Sequence, residues 1–280
     1  MERLKEEGVL KSSTLFSYIP SVSGKKVFLY PLYIGHYQTQ TGYYLRRNNY
    51  DSFMLLFTCA GSGTVETESR KCTLNPGEAM ILNCYDSHIY YPNGSWDFYW
   101  LHFDGNFALD YYRYLTENTN QPVTIKEPME YISAWRNLRD LIIHHPAFSE
   151  PLMSKYITDL LTLIASSGSV QGNDSISVSA IDRCLTYINR HLNEHLSLEK
   201  LAGIASLSPY HFARCFKAAT GYTPHEYILT GRLDLAKFYL KTTSDTIKKI
   251  AYSCGFQSEH SFCTAFKKVT DFTPTEFRKK

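Results

Sequence analysis

Residues 196–227 read LSLEKLAGIASLSPYHFARCFKAATGYTPHEY, and residues 245–277 read DTIKKIAYSCGFQSEHSFCTAFKKVTDFTPTEF. The two stretches are copies of one pattern. Leu198, Leu201 and Ala202 match Ile247, Ile250 and Ala251 at an offset of 49. Beyond the turn, Phe212, Phe216, Lys217, Thr223 and Pro224 match Phe262, Phe266, Lys267, Thr273 and Pro274 at an offset of 50, so the second copy carries one extra turn residue. Each copy reads as a short helix, a tight turn and a second helix. A small residue, Ala202 or Ala251, sits where the two helices cross, and Ser208 or Ser258 caps the second helix, with Pro209 suited to its first position. This is the spacing of a helix-turn-helix, present twice.

A helical wheel divides the second helix of each copy. Phe212, Cys215, Phe216 and Ala219 fall on one side, and Tyr210, Ala213, Arg214 and Lys217 on the other. In the second copy Phe262, Ala265, Phe266 and Val269 face inward, which leaves His260, Cys263, Thr264 and Lys267 outward. Charge agrees with a polyanionic partner. The whole chain of 280 residues is nearly neutral, with 29 Lys and Arg against 27 Asp and Glu. Residues 178–280 hold 15 basic and 9 acidic groups, a net of +6, whereas residues 1–177 hold 14 and 18, a net of −4. Basic groups on one helix face serve phosphates and base edges in a major groove.

The region before the repeat has another character. All three Trp and 16 of the 22 Tyr lie in residues 1–177. Segments 27–33, 53–59, 63–67, 79–84 and 98–103 read as short strands, with turns expected at GSG (61–63), NPGE (75–78) and PNGS (92–95). Helical periodicity follows at 106–116, 129–144 and 152–166. The segment SSGSVQGNDSISVS (166–179) reads as a linker. The expected organisation is an all-β barrel with appended helices (1–125), a helical bridge or dimerisation region (126–168) with the stripe Leu152, Tyr156, Leu160, Ile164, a linker (169–177) and an all-α domain (178–280). No apolar run reaches bilayer length, the charged start MERLKEEG lacks a signal-peptide core, and the seven Cys form no CxxC pair, so a cytoplasmic protein with reduced thiols is expected.

The stretches SPYHFARCFKAATGYTPHEYI and IAYSCGFQSEHSFCTAFKKVTDFTPTEFR resemble the AraC/XylS family of bacterial transcriptional regulators. The resemblance implies two helix-turn-helix units joined by one helix, here 226–240 with the stripe Leu229, Leu233, Ala236, Leu240. Asp271 departs from the family pattern, which has Gly there. By carry-over, Tyr210, Ala213 and Arg214 meet bases in one groove segment, and Glu259, His260, Cys263 and Thr264 in the next. Arg214 suits guanine, Glu259 suits cytosine N4 or simply the helix dipole, and Lys217 and Lys267 suit phosphates.

The run from GYYLRR to WDFYWLHFDG resembles the cupin barrel that precedes this domain in carbohydrate-responsive members. That resemblance places Arg46, Tyr90 and Trp100 in the ligand pocket, with Phe98 where a His stands in the family. An enzymatic cupin has an HxH metal pair; no His follows Gly61 before His88, so His36, His88 and His102 read as structural and no metal or other cofactor is expected. The leading reading is a non-enzymatic, DNA-binding activator with a sugar-like small-molecule effector. Its expected partners are promoter or operator DNA, RNA polymerase and a second copy of the chain. Two alternatives stay open, a ligand-independent regulator whose barrel makes protein contacts and a metal-dependent cupin tethered to DNA.

Overall fold

The computed structural model describes residues 6–119, 121–144, 149–168 and 173–279 and divides into two compact units, Met1–Val170 and Gln171–Lys280. The first unit is an eight-stranded antiparallel sheet of β1 (Thr14–Ser17), β2 (Tyr30–Gln40), β3 (Leu45–Arg47), β4 (Phe53–Thr67), β5 (Lys71–Leu74), β6 (Glu78–Asn83), β7 (His88–Asp104) and β8 (Val123–Thr124). Neighbours run β1-β2-β7-β4-β6-β8, with β3 added to β7 and β5 to β4. The unit also holds helices α1 (Val22–Val27), α2 (Ala108–Asn118), α3 (Pro128–His144) and α4 (Ser149–Gly168).

Both faces of this sheet are buried, which is why FMLLF at 53–57 is an unbroken apolar run rather than an alternating one. Phe53, Leu55, Phe57, Leu101 and Phe103 face Tyr131, Trp135 and Leu138 of α3 and Met153, Ile157 and Leu161 of α4. Met54, Leu56, Tyr90, Phe98 and Trp100 fill the other face with Tyr37 and Tyr43. Three local readings are corrected. Ser21 caps α1 by accepting from the Gly24 N–H (2.9 Å), so Val27 ends a helix and β2 starts at Tyr30. GSG and PNGS are not turns: Gly61 pairs with Trp96 and Gly63 with Pro92, inside the long β4–β7 ladder, where the glycines supply a bend. The stripe on α4 is largely spent on its own sheet, since Leu160 and Ile164 are buried within the chain and only Leu152 is exposed.

The second unit is all helical: α5 (Asn173–Arg190), α6 (Leu198–Ala205), α7 (Pro209–Thr220), α8 (Pro224–Thr242), α9 (Ile247–Ser253), α10 (Glu259–Thr270) and α11 (Pro274–Lys279). Of the stretch expected to be a linker, residues 169–172 lie outside the described residues and α5 begins at Asn173. Ser, Asn and Asp suit a linker, but they suit a first helical turn equally well. Two cores form. Phe212 and Phe216 pack with Leu201, Ala202 and Ile228, and Phe262 and Phe266 pack with Ile250, Ala251, Leu233, Ala236 and Leu240. The joining helix α8 thus serves both units. Its 19 residues span about 28 Å at 1.5 Å per residue.

The repeat is a repeat of caps as well as of core. TPHE and TPTE each make a reciprocal cap. Thr223 Oγ1 accepts from the Glu226 N–H and Glu226 Oε2 from the Thr223 N–H, and Thr273 and Glu276 do the same. The turn after each first helix is left-handed, at Ser206 (φ 57°) and Gly255 (φ 81°). A Cβ at Gly255 would lie 2.4 Å from the Leu192 carbonyl oxygen, so only Gly fits there.

The wheel fails at its C-terminal edge, because Ala219 and Val269 are exposed. They sit in the last turn, beyond the reach of the first helix of each unit. At the end of α7 Gly221 takes φ 78°, and at the end of α10 Asp271 takes φ 62°. Asp271 holds a Cβ in the left-handed region and a negative charge at the negative helix end. Asp271→Gly is therefore expected to stabilise the helical unit by about 0.5–1 kcal/mol, read as a higher urea midpoint with unchanged slope.

Candidate DNA interface and ligand cavity

Helices α7 and α10 carry the outward residues. Tyr210 (82% exposed), Arg214, Lys217, Glu259, His260, Thr264 and Lys267 are exposed, and Ala213 and Cys263 are half-buried beside them. Ser208 Oγ accepts from the His211 N–H (3.4 Å) and Ser258 Oγ from the Ser261 N–H (3.1 Å), which fixes where each helix begins. Among the described residues Arg214, Lys217 and Lys267 make no ion pair, whereas Lys200, Lys237 and Lys249 pair with Glu194, Asp234 and Asp245. Arg214 Nη2 only leans on His211 Nδ1 at 3.4 Å. Each second helix thus presents cations that no carboxylate neutralises, an arrangement that suits phosphate binding. An open cleft of about 900 Å³ within the same unit runs past Ala213, Ser261 and Ala265 to Arg232. Arg232 there donates from Nε to the Leu192 carbonyl (2.8 Å) and from Nη2 to that of Glu194 (2.6 Å), so it anchors the loop between α5 and α6.

In the β unit, a cavity of about 200 Å³ is lined by Tyr33, Tyr37, Tyr43, Tyr50, Tyr90, Trp100 and His102, by Leu15 and Leu45, and by the charged Arg47 and Glu6. Cross-strand pairing decides which arginine reaches it. Leu45 lies opposite Tyr90, Arg46 opposite Ile89 and Arg47 opposite His88. Directly opposed residues share a face and successive ones alternate. Tyr90 therefore shares its face with Leu45 and Arg47. Arg46 points the other way and is exposed. Tyr90 and Trp100 line the cavity, whereas Phe98 is fully buried beneath it, stacked on Trp96 at 4.0 Å. Of the tyrosines only Tyr90 was singled out from the sequence; Arg47, Tyr33, Tyr37, Tyr43 and Tyr50 were not. The two adjacent arginines are told apart only by the register against β7.

The walls are rigid and polar at their tips. Tyr37 stands edge-on to Trp100 at 5.2 Å, and the Arg47 guanidinium lies 4.6 Å from the Tyr50 ring centre. Gly35, opposite Trp100, has no Cβ, and one built there would lie 2.5 Å from the indole. Trp100 Nε1 is buried with no acceptor among the described residues. Burial raises the Tyr37 phenol to about 12 and holds Tyr43 and Tyr90 well above the ordinary range, so all three remain hydroxyl donors. His102 Nδ1 shares a hydrogen bond with Ser52 Oγ at 2.8 Å, and burial, with Arg47 nearby, pushes the imidazole down to about 3. At neutral pH His102 is uncharged, and Arg47 is the cation of the wall. Among the described residues the possible metal-ligand group, His36 with Cys59 and Asp97, lies outside the cavity lining.

Comparison with known proteins agrees with both halves. Residues 30–160 match the family described as AraC-like ligand binding domain, and residues 201–280 match a helix-turn-helix domain family. The MmsAB operon regulatory protein of Pseudomonas aeruginosa is 22% identical over 263 residues, covering 90% of this chain and 83% of that protein. The HTH-type transcriptional activator RhaS of an Enterobacter species is 25% identical over 253 residues, covering 82% and 86%. The probable transcriptional regulator LumQ of Photobacterium leiognathi is 37% identical over 92 residues, 33% of this chain; the alignment spans 37% of LumQ's length.

The neutral imidazole of His102 makes stability depend on pH. Its folded pKa lies below the unfolded value of about 6.5, so the unfolded chain binds the extra proton between about 6.5 and 3. Stability is whole above pH 6.5 and falls by up to about 1.4 kcal/mol per pH unit below it. Urea titrations of the full chain at pH 7, 6 and 5 are expected to show this loss in the β unit, and His102→Asn to lessen it, the remainder coming from His88, whose imidazole burial also pushes down.

Proposed function

The chain belongs to the AraC family of DNA-binding transcriptional regulators, and on that premise we propose that it activates transcription in response to a small, carbohydrate-like molecule held in the cavity of its N-terminal domain. The observation that carries the reading is the cavity wall itself. Aromatic faces suit the apolar faces of a sugar ring, while Arg47 and the tyrosine hydroxyls suit its oxygens. The volume fits a small effector rather than a drug-sized one. The name of RhaS as an activator supports the sign of regulation, with RNA polymerase as the partner that activation requires. The two relatives that align over most of this chain carry the names of regulators, which supports a non-enzymatic role. No helix among the described residues is long and apolar enough to cross a membrane, in keeping with a cytoplasmic site of action.

We propose a cupin-type β domain and a homodimer as the acting species. With Leu160 and Ile164 turned inward, a pairing surface would draw on Leu152 and Met129, which are exposed on α4 and α3.

A thermal-shift panel of pentoses, hexoses and sugar acids tests the effector class, since a ligand that binds only the native state raises the melting temperature. A hit is expected to lose its shift in Arg47→Ala and keep it in Arg46→Ala. A hit that shifts both variants equally places the ligand elsewhere, and no shift across the panel removes the carbohydrate reading.

On DNA, Tyr210, Ala213, Arg214 and Lys217 are proposed to meet one groove segment, and Glu259, His260, Cys263, Thr264 and Lys267 the next, about one helical turn (~34 Å) away. Arg214→Ala is expected to relax preference in one sequence block at a cost of about 1–3 kcal/mol, and Thr264→Ala to act more weakly on the other. Lys217→Ala is expected to weaken all sequences alike and to lower the salt slope by about one. Binding-site selection with the full chain reads these three outcomes; a uniform loss with Arg214→Ala would make it a phosphate contact.

A further inference from the structure

His36, Cys59 and Asp97 come from β2, β4 and β7, three strands that are neighbours in the sheet. They lie on the helix-covered face, opposite the cavity. On β7 Asp97 is an odd number of residues from Trp100, and on β2 His36 adjoins the cavity residue Tyr37. The ladder that gathers them has one irregularity. Thr58 lies opposite Phe98 and Ala60 opposite Asp97, so β4 carries one extra residue, and that residue is Cys59. A bulge leaves its extra residue out of the ladder and re-aims the side chain. The thiol here meets the Asp97 carboxylate.

The three donor atoms lie within 4.8 Å of one another. His36 Nε2 is 2.6 Å from Asp97 Oδ1, and Gln38 Nε2 donates to Asp97 Oδ2 at 2.8 Å. The His36 ring stacks on Tyr99 at 4.4 Å. Both the imidazole and the carboxylate are therefore oriented by neighbours, as ligands of a metal usually are. The side chains of His36 and Asp97 are 30% and 25% exposed, which leaves a path from solvent.

We infer that His36, Cys59 and Asp97 form a binding site for a zinc-class divalent cation, with a fourth coordination position left to water. The donor set selects the metal: one imidazole nitrogen, one thiolate and one carboxylate suit zinc, whereas magnesium and calcium take oxygen shells. Carboxylate and thiolate together neutralise two positive charges. Tetrahedral bonds of about 2.0 Å place a nitrogen and an oxygen ligand about 3.3 Å apart, so the His36–Asp97 pair opens by less than 1 Å to admit the ion. The thiol proton leaves to water on binding, and the imidazole proton moves from Nε2 to Nδ1. Burial and then the Asp97 carboxylate push the Cys59 thiol up to about 12 in the metal-free site, a cost that the bond to the cation must offset; Arg136 of α3 counters a small part of it while opposing a cation. Sequence reading assigned His36 a structural role as a scattered histidine outside any HxH pair; Cys59 and Asp97 lie 23 and 61 positions away, and only the β2-β7-β4 register brings them to it.

The test uses the full chain, stripped with a chelator and titrated with Co²⁺ and then Zn²⁺ under reducing conditions. Wild type is expected to bind one equivalent of Co²⁺ with a thiolate-to-cobalt charge-transfer band in the near ultraviolet, which Zn²⁺ bleaches. Cys59→Ser is expected to abolish the band, and His36→Gln to weaken Zn²⁺ binding at least about 100-fold against a competing chelator. Cys72→Ser, remote in the cluster's terms, keeps both signals. Circular dichroism confirms that each variant is folded, and the half-exposed His36 makes His36→Gln the variant least able to disturb the core. A folded wild type with no band, a band that survives Cys59→Ser, or unchanged Zn²⁺ affinity in His36→Gln overturns the site.

Discussion

The ladder between β4 and β7, from Phe53 opposite Phe103 to Thr67 opposite His88, is the constraint on which the N-terminal unit depends. Every other long element takes its place from it. β2 and β3 add to the free edge of β7, β5 and β6 to that of β4, and α3 and α4 cover the face that carries Leu55, Phe57, Leu101 and Phe103. Because side chains alternate along each strand, the same ladder allots residues to two chemistries. Leu101 and Tyr99 of β7 face the helices; Trp100 and His102 face the cavity. A slip of one residue would exchange the two sets, so the apolar demands of both faces hold the cavity in register.

Much of this was legible in the chain. The strand bursts, the three helices after the sheet and the doubled helix-turn-helix follow from periodicity and from capping residues whose chemistry is local. What was not legible is what depends on pairing. Arg46 and Arg47 are neighbours of identical composition, and only the placement of Arg47 opposite His88 decides which reaches the cavity. GSG and PNGS carry turn chemistry, yet they lie across from each other and bend a ribbon, a relation that no local rule contains. Ala219 and Val269 sit at the right angle on a helical wheel. A wheel has no length, however, and these residues lie past the end of the helix against which they would pack.

The helical unit obeys a different logic, with a core built from pairs four residues apart. Phe212 and Phe216 lie 5.4 Å ring to ring, and Phe262 and Phe266 repeat the distance. Each pair closes over the small residue at which its two helices cross, Ala202 or Ala251, and each is bounded by the same Thr-Pro-x-Glu cap. The second unit departs from the first in its turns, with a longer turn before α10, Gly255 where the first unit has Ser206, and Asp271 in place of Gly.

Comparing the two copies position by position separates what folding demands from what recognition uses. At an offset of 50, the buried Phe pair and the cap are kept, and so is the exposed lysine, Lys217 or Lys267. The remaining outward positions all differ: Tyr210 stands against His260, Ala213 against Cys263, and Arg214 against Thr264. The packing fixes the Phe pair of each helix but leaves Tyr210, Arg214, His260 and Thr264 exposed, so it does not dictate the differences at those positions. A lysine kept in both units suits the phosphate backbone, which is alike along any duplex, whereas base edges are not. Two identical outward faces would favour a repeated sequence. Two unlike faces on a shared frame, joined by one helix, favour a site of two different blocks read by a single chain.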